Sequence, residues 1–354
     1  MASRRRSTAG RRKVGLDSLQ RRFNEWVESV ADSENDELIA QLLDAALKLS
    51  RDSVDRGELK ILARALKELR YAFEVFAPYR AVRKVSIFGS TRVPVDHPYY
   101  RMAAHLGRRL AEEGFMIITG AGPGIMQAGH EGAGPEKSFG VNIHLPFEQK
   151  ANAIIRDDPK LITFHFFFTR KLLFVKEADA VVFFPGGFGT HDEAVETLTL
   201  VQTGKSQTVP IVFVDLPGEN YWRGWEGFVR REMLGRGFIS PQDTALFKVF
   251  EDVEGAVREI RDFYRNYHSA RFVGETLVVR TLRPFSPETV SRLNREFRDI
   301  LTAGEIVPIP AFPDEDDEPE SLHLHRLAVP FNRRDFGRLR QFIDAVNSFP
   351  AESA

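Results

Sequence analysis

A mostly parallel α/β sheet flanked by helices, with a helical extension before it and a small α+β domain after it, is the architecture this sequence predicts. Three observations carry the prediction. Between about residues 84 and 268, short β-branched and aromatic runs alternate with helical stretches, the pattern of buried strands joined by crossover helices. Glycines stand at the ends of three of those runs, singly at Gly89 and in clusters around Gly122 and Gly187, where open α/β sheets bind ligands. The regions on either side carry no such clusters and follow other periodicities.

Residues 14–80 read as helices. Leu16, Leu19, Phe23, Trp26 and Val30 recur at helical spacing. Asn35, Asp36 and Glu37 can cap a second helix bearing Leu38, Leu42, Leu43 and Leu47. A third runs from about Glu58 to Phe76 with Leu59, Leu62, Leu66, Leu69 and Phe73 on one stripe. These stripes are packing surfaces, within the chain or between subunits. Residues 1–13 are basic with no apolar segment behind them, which reads as a disordered tail rather than a secretory signal.

In the 84–268 domain the expected strands are Val85–Gly89, Met116–Thr119, Ser138–Ile143, Leu161–Phe164, Ala180–Phe184 and Ile211–Val214. Helices are expected at Tyr99–Glu113, Ile125–Ala133, Arg170–Glu177 and Thr190–Thr203. A small domain over 270–354 follows, in the order β-α-β-β-α. Its elements are Thr276–Thr281, Pro287–Leu301, Ile306–Ile309, Leu322–Val329 and Arg334–Val346, with an acidic loop from Asp314 to Glu320. It reads as a regulatory or oligomerising module. His323 and His325 fall on one face of its last expected strand, yet no third ligand stands near, so a solvent-facing edge is the better reading than a metal site.

Composition narrows the function. At 354 residues with 43% apolar content the chain can bury a sizeable core. A net charge of −1 gives no global field for nucleic acid or an anionic membrane, and no apolar run is long enough to span a bilayer. The absence of cysteine excludes disulfides, thiolate metal sites and a cysteine nucleophile, and fits a reducing cytoplasm.

Three loops are candidate phosphate sites. Gly89 and Ser90, followed by Thr91 and Arg92, offer close backbone approach, hydroxyls and charge. Gly120, Gly122 and Gly124 stand between a strand and a helix start, where backbone N–H groups favour anions. The dinucleotide fingerprint fails there, because Ile125 holds the third glycine position and Pro123 interrupts the turn. The third loop is the stretch from Pro185 to Glu193, PGGFGTHDE. Gly186, Gly187 and Gly189 permit a loop free of side chains, and Thr190 sits where an N-cap or N1 hydroxyl would. Glu193 is then either the partner of Thr190 in a capping box or a free carboxylate. Gly204-Lys205-Ser206 imitates a P-loop ending, but Thr199 replaces its leading glycine, so Gly204 reads as a helix C′ residue.

Taken in order, the segments GSTR, GAGPGIMQAGHEGA, FGVNIHLPFEQ, FFFTRK and PGGFGTHDE resemble the LONELY GUY (LOG) family over residues 84–268. The resemblance implies a Rossmann-like fold, a homodimer or a multiple of dimers, and no cofactor. It implies release of base and ribose 5-phosphate from a nucleoside 5′-monophosphate such as AMP or a cytokinin riboside 5′-monophosphate. Arg170 and Glu193 match the family's arginine and glutamate, and Lys171 follows the arginine. Phe167 and Phe168 stand where cytokinin-activating members often carry Met-His, and His191 stands where leucine is usual. These departures bear on the identity of the base, and together with the long terminal extensions, which the compact cytokinin enzymes lack, they point to a general purine nucleotide. On this reading Glu193 stabilises positive charge on the ribose, while Arg170 faces phosphate, ribose or departing base. Asp192, one residue earlier, points about 100° away. The alternative is a nucleotide-binding sensor without turnover. A lysine decarboxylase would need a pyridoxal-phosphate lysine, and nothing around Lys171 or Lys176 resembles its motif.

Overall fold

The computed structural model describes residues 18, 21–22, 24–25, 35–145, 150–312 and 318–349. The basic residues 1–13, the stripe Leu16, Leu19, Phe23, Trp26 and Val30, and Asp314–Asp317 of the acidic run lie outside the described residues. The chain divides into two compact units between Lys67 and Glu68. In the first, α1 (Asp36–Lys48) starts with two acidic residues, which suits the positive end of its dipole. It buries none of its residues, and Leu38 and Leu42 are exposed. In the second unit, the end of α2 (Arg56–Phe76) buries Glu68, Ala72 and Phe76.

The second unit is built on β1 (Lys84–Phe88), β2 (Met116–Thr119), β3 (Ser138–Ile143), β4 (Leu161–Phe164), β5 (Ala180–Phe183), β6 (Ile211–Val214) and β7 (Phe247–Phe250). All pair in parallel in the order β4-β3-β2-β1-β5-β6-β7. The helices between and after them are α3 (Pro98–Glu112), α4 (Ile125–Ala133), α5 (Phe167–Lys176), α6 (Phe188–Gln202), α7 (Tyr221–Phe228) and α8 (Val253–Phe263). Successive strand residues point to opposite faces. In β5, Val181 and Phe183 therefore join one core, with Phe88, Phe139 and Trp222, while Ala180 and Val182 join the other, with Ile87, Leu106 and Val257. A sheet covered on both faces needs such continuously apolar strands. The six expected strands are present within one residue of their bounds. β7 is not among them: it is a four-residue edge strand whose lysine breaks the apolar run, and only alternate residues are buried.

α3 and α4 pack backbone to backbone. A Cβ on Gly132 would lie 1.9 Å from the carbonyl oxygen of Ala104, so the glycines late in the GHEGA segment serve helix packing. Gly204 does end α6 with φ +68°, and the Phe336 ring lies against it.

A second sheet follows, antiparallel, from β8 (Tyr267–Val273), β9 (Thr276–Thr281), β10 (Val307–Ile309) and β11 (His325–Val329), in the order β10-β11-β9-β8. With α9 (Pro287–Glu296) and α10 (Phe336–Ser348) it encloses Leu277, Val279, Leu293, Leu327 and Phe342. The expected β-α-β-β-α order omits β8. That strand lies at the sheet edge and is only partly buried, so its polar and apolar residues give no clear alternation. The expectation for His323 and His325 is corrected as well. β11 begins at His325, and His323 sits in the preceding turn, so the two do not share a strand face. Among the described residues no helix is long and apolar enough to cross a membrane.

Candidate active site

From β1 the chain moves outward through β2, β3 and β4, then returns to lay β5 beside β1. The loops after β1 and β5 consequently leave in opposite directions, and a crevice opens at the strand ends. A cavity of about 970 Å³ lies there, the size of a small-molecule site. It is lined from the ends of four adjacent strands: Asn142 and Ile143 of β3, Gly120 and Gly122 after β2, Gly89 and Ser90 after β1, and Gly186 and Gly187 after β5. At strand spacing these ends span roughly 14 Å.

The Thr190–Glu193 ambiguity resolves against the capping box. α6 begins at Phe188, with Gly187 as N-cap and no side-chain cap. Thr190 is therefore the third helical residue, beyond the cap position. The N–H groups of Thr190 and His191 both donate to the Gly187 carbonyl, at 3.0 and 3.2 Å. Those of Phe188 and Gly189 have no acceptor within the helix, as first-turn donors do not, and the helix dipole adds positive potential. A Cβ on Gly187 or Gly189 would meet nothing within 4 Å, although both line the cavity. Gly186 differs: its Cβ would fall 2.1 Å from the Thr190 hydroxyl oxygen. Here the protein itself requires glycine, whereas at 187 and 189 the absent side chain leaves space open.

Backbone hydrogen bonds tie the three loops together. Ser90 N–H donates to the Pro185 carbonyl at 3.0 Å, and Ile125 N–H to the Ser90 carbonyl at 3.1 Å. Gly124 has φ +67°, and a Cβ there would lie 2.4 Å from the Ser90 carbonyl oxygen. Its role is this close approach, and it does not line the cavity. Behind the loop, His130 is fully buried, and burial holds its imidazole well below the ordinary range, at about 4. Its Nε2 lies 3.0 Å from both the Phe139 carbonyl and the Thr119 hydroxyl. Asn152 then bridges Nδ1, at 3.2 Å, to the Gly122 carbonyl, at 3.1 Å. This neutral network braces a turn in which Ala121 takes φ +60°, a costly value for a residue with a Cβ.

α5 brings Arg170 to the cavity. Its start is held by buried Glu68, which accepts from the His165 N–H at 3.0 Å and the Thr169 hydroxyl at 2.9 Å. The Arg170 guanidinium lies over Phe167 and Phe174, 5.2 and 5.4 Å from the ring centroids. Its Nε is buried without a hydrogen-bond partner, and burial lowers its pKa. Nη2 stands 3.8 Å from Glu193 Oε1. Glu193 is 4% exposed. Burial pushes its carboxyl up to about 7, against the opposing pull of Lys171 and Arg170. Lys171 turns away from the cavity and pairs with Asp192 at 2.8 Å and Glu196 at 2.5 Å. Asp192 itself is exposed.

The sequence reading passes over two side chains here and gives a third no role. Asn142, near the end of an otherwise buried strand, lines the cavity. Tyr221, from the start of α7, reaches the PGG loop, and no local motif marks it. His191, noted in the sequence only as a departure from leucine, is partly buried with Nε2 2.7 Å from the Tyr221 hydroxyl. Among the described residues no group of three or more histidine and acidic side chains could hold a metal ion.

Comparison with known proteins matches residues 123–260 to the family described as possible lysine decarboxylase. The chain is similar to the cytokinin riboside 5′-monophosphate phosphoribohydrolase LOG7 of Arabidopsis thaliana, 24% identical over 51% of this chain and 82% of that protein. The enzyme of the same name from Rhodococcoides fascians is 26% identical over 51% of this chain and 89% of its own length. That from Mycobacterium tuberculosis is 26% identical over 47% and 87%. A solved structure, the molybdenum cofactor carrier protein of Chlamydomonas reinhardtii, aligns with 51% of this chain and 96% of its own at 18% identity and a TM-score of 0.37. Over about half of its length, within the seven-stranded α/β domain, this chain is similar to phosphoribohydrolases of the LOG family.

Proposed function

We propose that this chain hydrolyses the N-glycosidic bond of a purine nucleoside 5′-monophosphate such as AMP, releasing free base and ribose 5-phosphate. The observation that carries the reading is a buried carboxyl pushed up to about 7, 3.8 Å from a partly buried guanidinium, in the same cavity as an open helix start. The names of the family relatives support it, since each is a phosphoribohydrolase of a nucleoside monophosphate.

The phosphate lies against the Gly186–Thr190 loop, where unfilled N–H groups and the helix dipole favour an anion. This anchor converts remote binding energy into positioning of the sugar. As the bond from C1′ to the base nitrogen breaks, its electron pair leaves with the base and positive charge grows on the ribose. Ionised Glu193 stabilises that charge and accepts a proton from the attacking water. Hydroxide adds to C1′, and the proton ends on the base. Arg170 offsets negative charge on the phosphate or on the departing base. The exposed Phe167, Phe168, Leu172 and Phe188 support self-association as a dimer or a multiple of dimers. A monomer by light scattering would remove that part of the proposal.

The test is a panel of nucleoside 5′-monophosphates set beside the matching nucleosides, with chromatography of the free bases. AMP is expected to be cleaved and adenosine to be cleaved far more slowly. Equal rates for the two would contradict the phosphate anchor. Gly189→Ala probes the anchor separately. Alanine gains helix propensity of up to about 1 kcal/mol, so the Tm is expected to hold or rise. Its methyl enters the open cavity, and the KM for AMP is expected to rise about tenfold or more. An unchanged KM would place the phosphate elsewhere.

A further inference from the structure

Two successive carbonyls of the PGG turn are held from opposite sides. That of Pro185 accepts from the Ser90 N–H at 3.0 Å. That of Gly186 accepts from the Tyr221 hydroxyl. Tyr221 is the first residue of α7, and its neighbours pin that helix start: Asp215, at the end of β6, accepts from Trp222 N–H at 2.8 Å and Arg223 N–H at 3.3 Å. The Tyr221 ring packs edge-on to buried Trp222, with centroids 4.9 Å apart.

His191 Nε2 lies 2.7 Å from the same hydroxyl. A phenol has one proton, and here it goes to the Gly186 carbonyl. The imidazole must therefore donate its Nε2–H to the phenol oxygen, leaving Nδ1 as an acceptor. His191 thus fixes which way the tyrosine proton points. Both side chains also line the cavity.

The consequence falls on one peptide unit. In a trans peptide the carbonyl of Gly186 and the N–H of Gly187 point in opposite directions. A Gly-Gly pair has no Cβ to bias that plane, so it can rotate at little cost. An anion loop works only while its carbonyls are turned away and its N–H groups are presented. We propose that Tyr221, oriented by His191, is a positioning residue that locks the Gly186–Gly187 peptide in the orientation that receives the phosphate. This rests on the nucleotide reading above, and it adds a residue from outside the PGGFGTHDE segment to the phosphate site.

The test is Tyr221→Phe, which keeps the ring and removes the hydroxyl. Calorimetry with ribose 5-phosphate reads the loop without turnover, and the expected loss of affinity is about tenfold. The KM for AMP is expected to rise by a similar factor with kcat within about twofold, since an anchor that binds substrate and transition state alike moves KM alone. Inhibition by free adenine should not change. His191→Leu should weaken ribose 5-phosphate binding part of the way, and His191→Gln, which keeps a donor, should restore it. A general structural defect would instead lower kcat and weaken adenine along with ribose 5-phosphate, and that result would overturn the proposal. So would unchanged ribose 5-phosphate affinity in Tyr221→Phe. If the wild type binds ribose 5-phosphate but cleaves no nucleotide, the hydrolase reading fails, and the calorimetry alone decides the role of Tyr221.

Discussion

Replacing Glu193 by glutamine will cut release of ribose 5-phosphate by about 10³-fold or more while leaving the protein folded. The amide keeps the shape of the carboxyl but cannot carry the charge that a cationic ribose needs, and it cannot take a proton from water. A folded, inactive variant is expected because the carboxylate is itself unfavourable to the fold. The Glu193 carboxyl titrates at about 7 in the folded protein, against an ordinary value of 4.5. Between those values the unfolded chain has released a proton that the folded chain still holds. Stability from this group therefore falls as pH rises from 4.5 to about 7 and is flat above. The size is on the order of 3 kcal/mol. The glutamine amide does not titrate and has no such slope, so the Glu193→Gln variant gains on the wild type between about pH 5 and about pH 8. Urea denaturation at the two pH values checks the sign. A difference that shrinks with rising pH would contradict the buried-carboxylate account.

Replacing Arg170 by methionine will lower kcat/KM by about 10²- to 10³-fold and move its pH dependence. Methionine fills much of the space against Phe167 and Phe174, so the loss will not come from an emptied core. The guanidinium is one of two cations, after Lys171, that pull the Glu193 carboxyl down against burial. Without Arg170 that carboxyl rises further. In the wild type, kcat/KM is expected to fall as pH drops below about 7, where Glu193 takes up its proton. In the Arg170→Met variant the same limb will lie at higher pH. A variant that loses rate with the limb unmoved would mean that Arg170 acts on the substrate alone and not through Glu193.

These two residues are legible in the sequence only because a motif accompanies each. Glu193 by itself is balanced between a helix cap and a free carboxylate. The structure separates the two, because α6 starts at Phe188 and Gly187 serves as the N-cap. Sequence spacing misplaces that start by two residues, since a phenylalanine between glycines reads as loop. The parallel sheet is readable from its strands because burial on both faces makes them continuously apolar. β7 and β8 are not, because edge strands are buried on one side or only in part.

The glycines show a different limit. Gly124 and Gly187 look alike in sequence, yet one answers to the close approach of the Ser90 carbonyl and the other to open space. Only the packing tells them apart. Tyr221 carries no local signal at all, and nothing within the GAGPGIMQAGHEGA segment singles out His130. Sheet order brings Tyr221 to its loop, at the start of the helix that follows the strand beyond β5, whereas α4 carries His130 back to Thr119 at the end of β2.

The central claim is hydrolysis at the ribose carbon, and product stoichiometry tests it most directly. Full-length protein incubated with AMP is predicted to yield adenine and ribose 5-phosphate in equal amounts, and the Glu193→Gln variant neither. Saturable AMP binding with no adenine released would contradict the claim and leave a nucleotide-binding protein in its place.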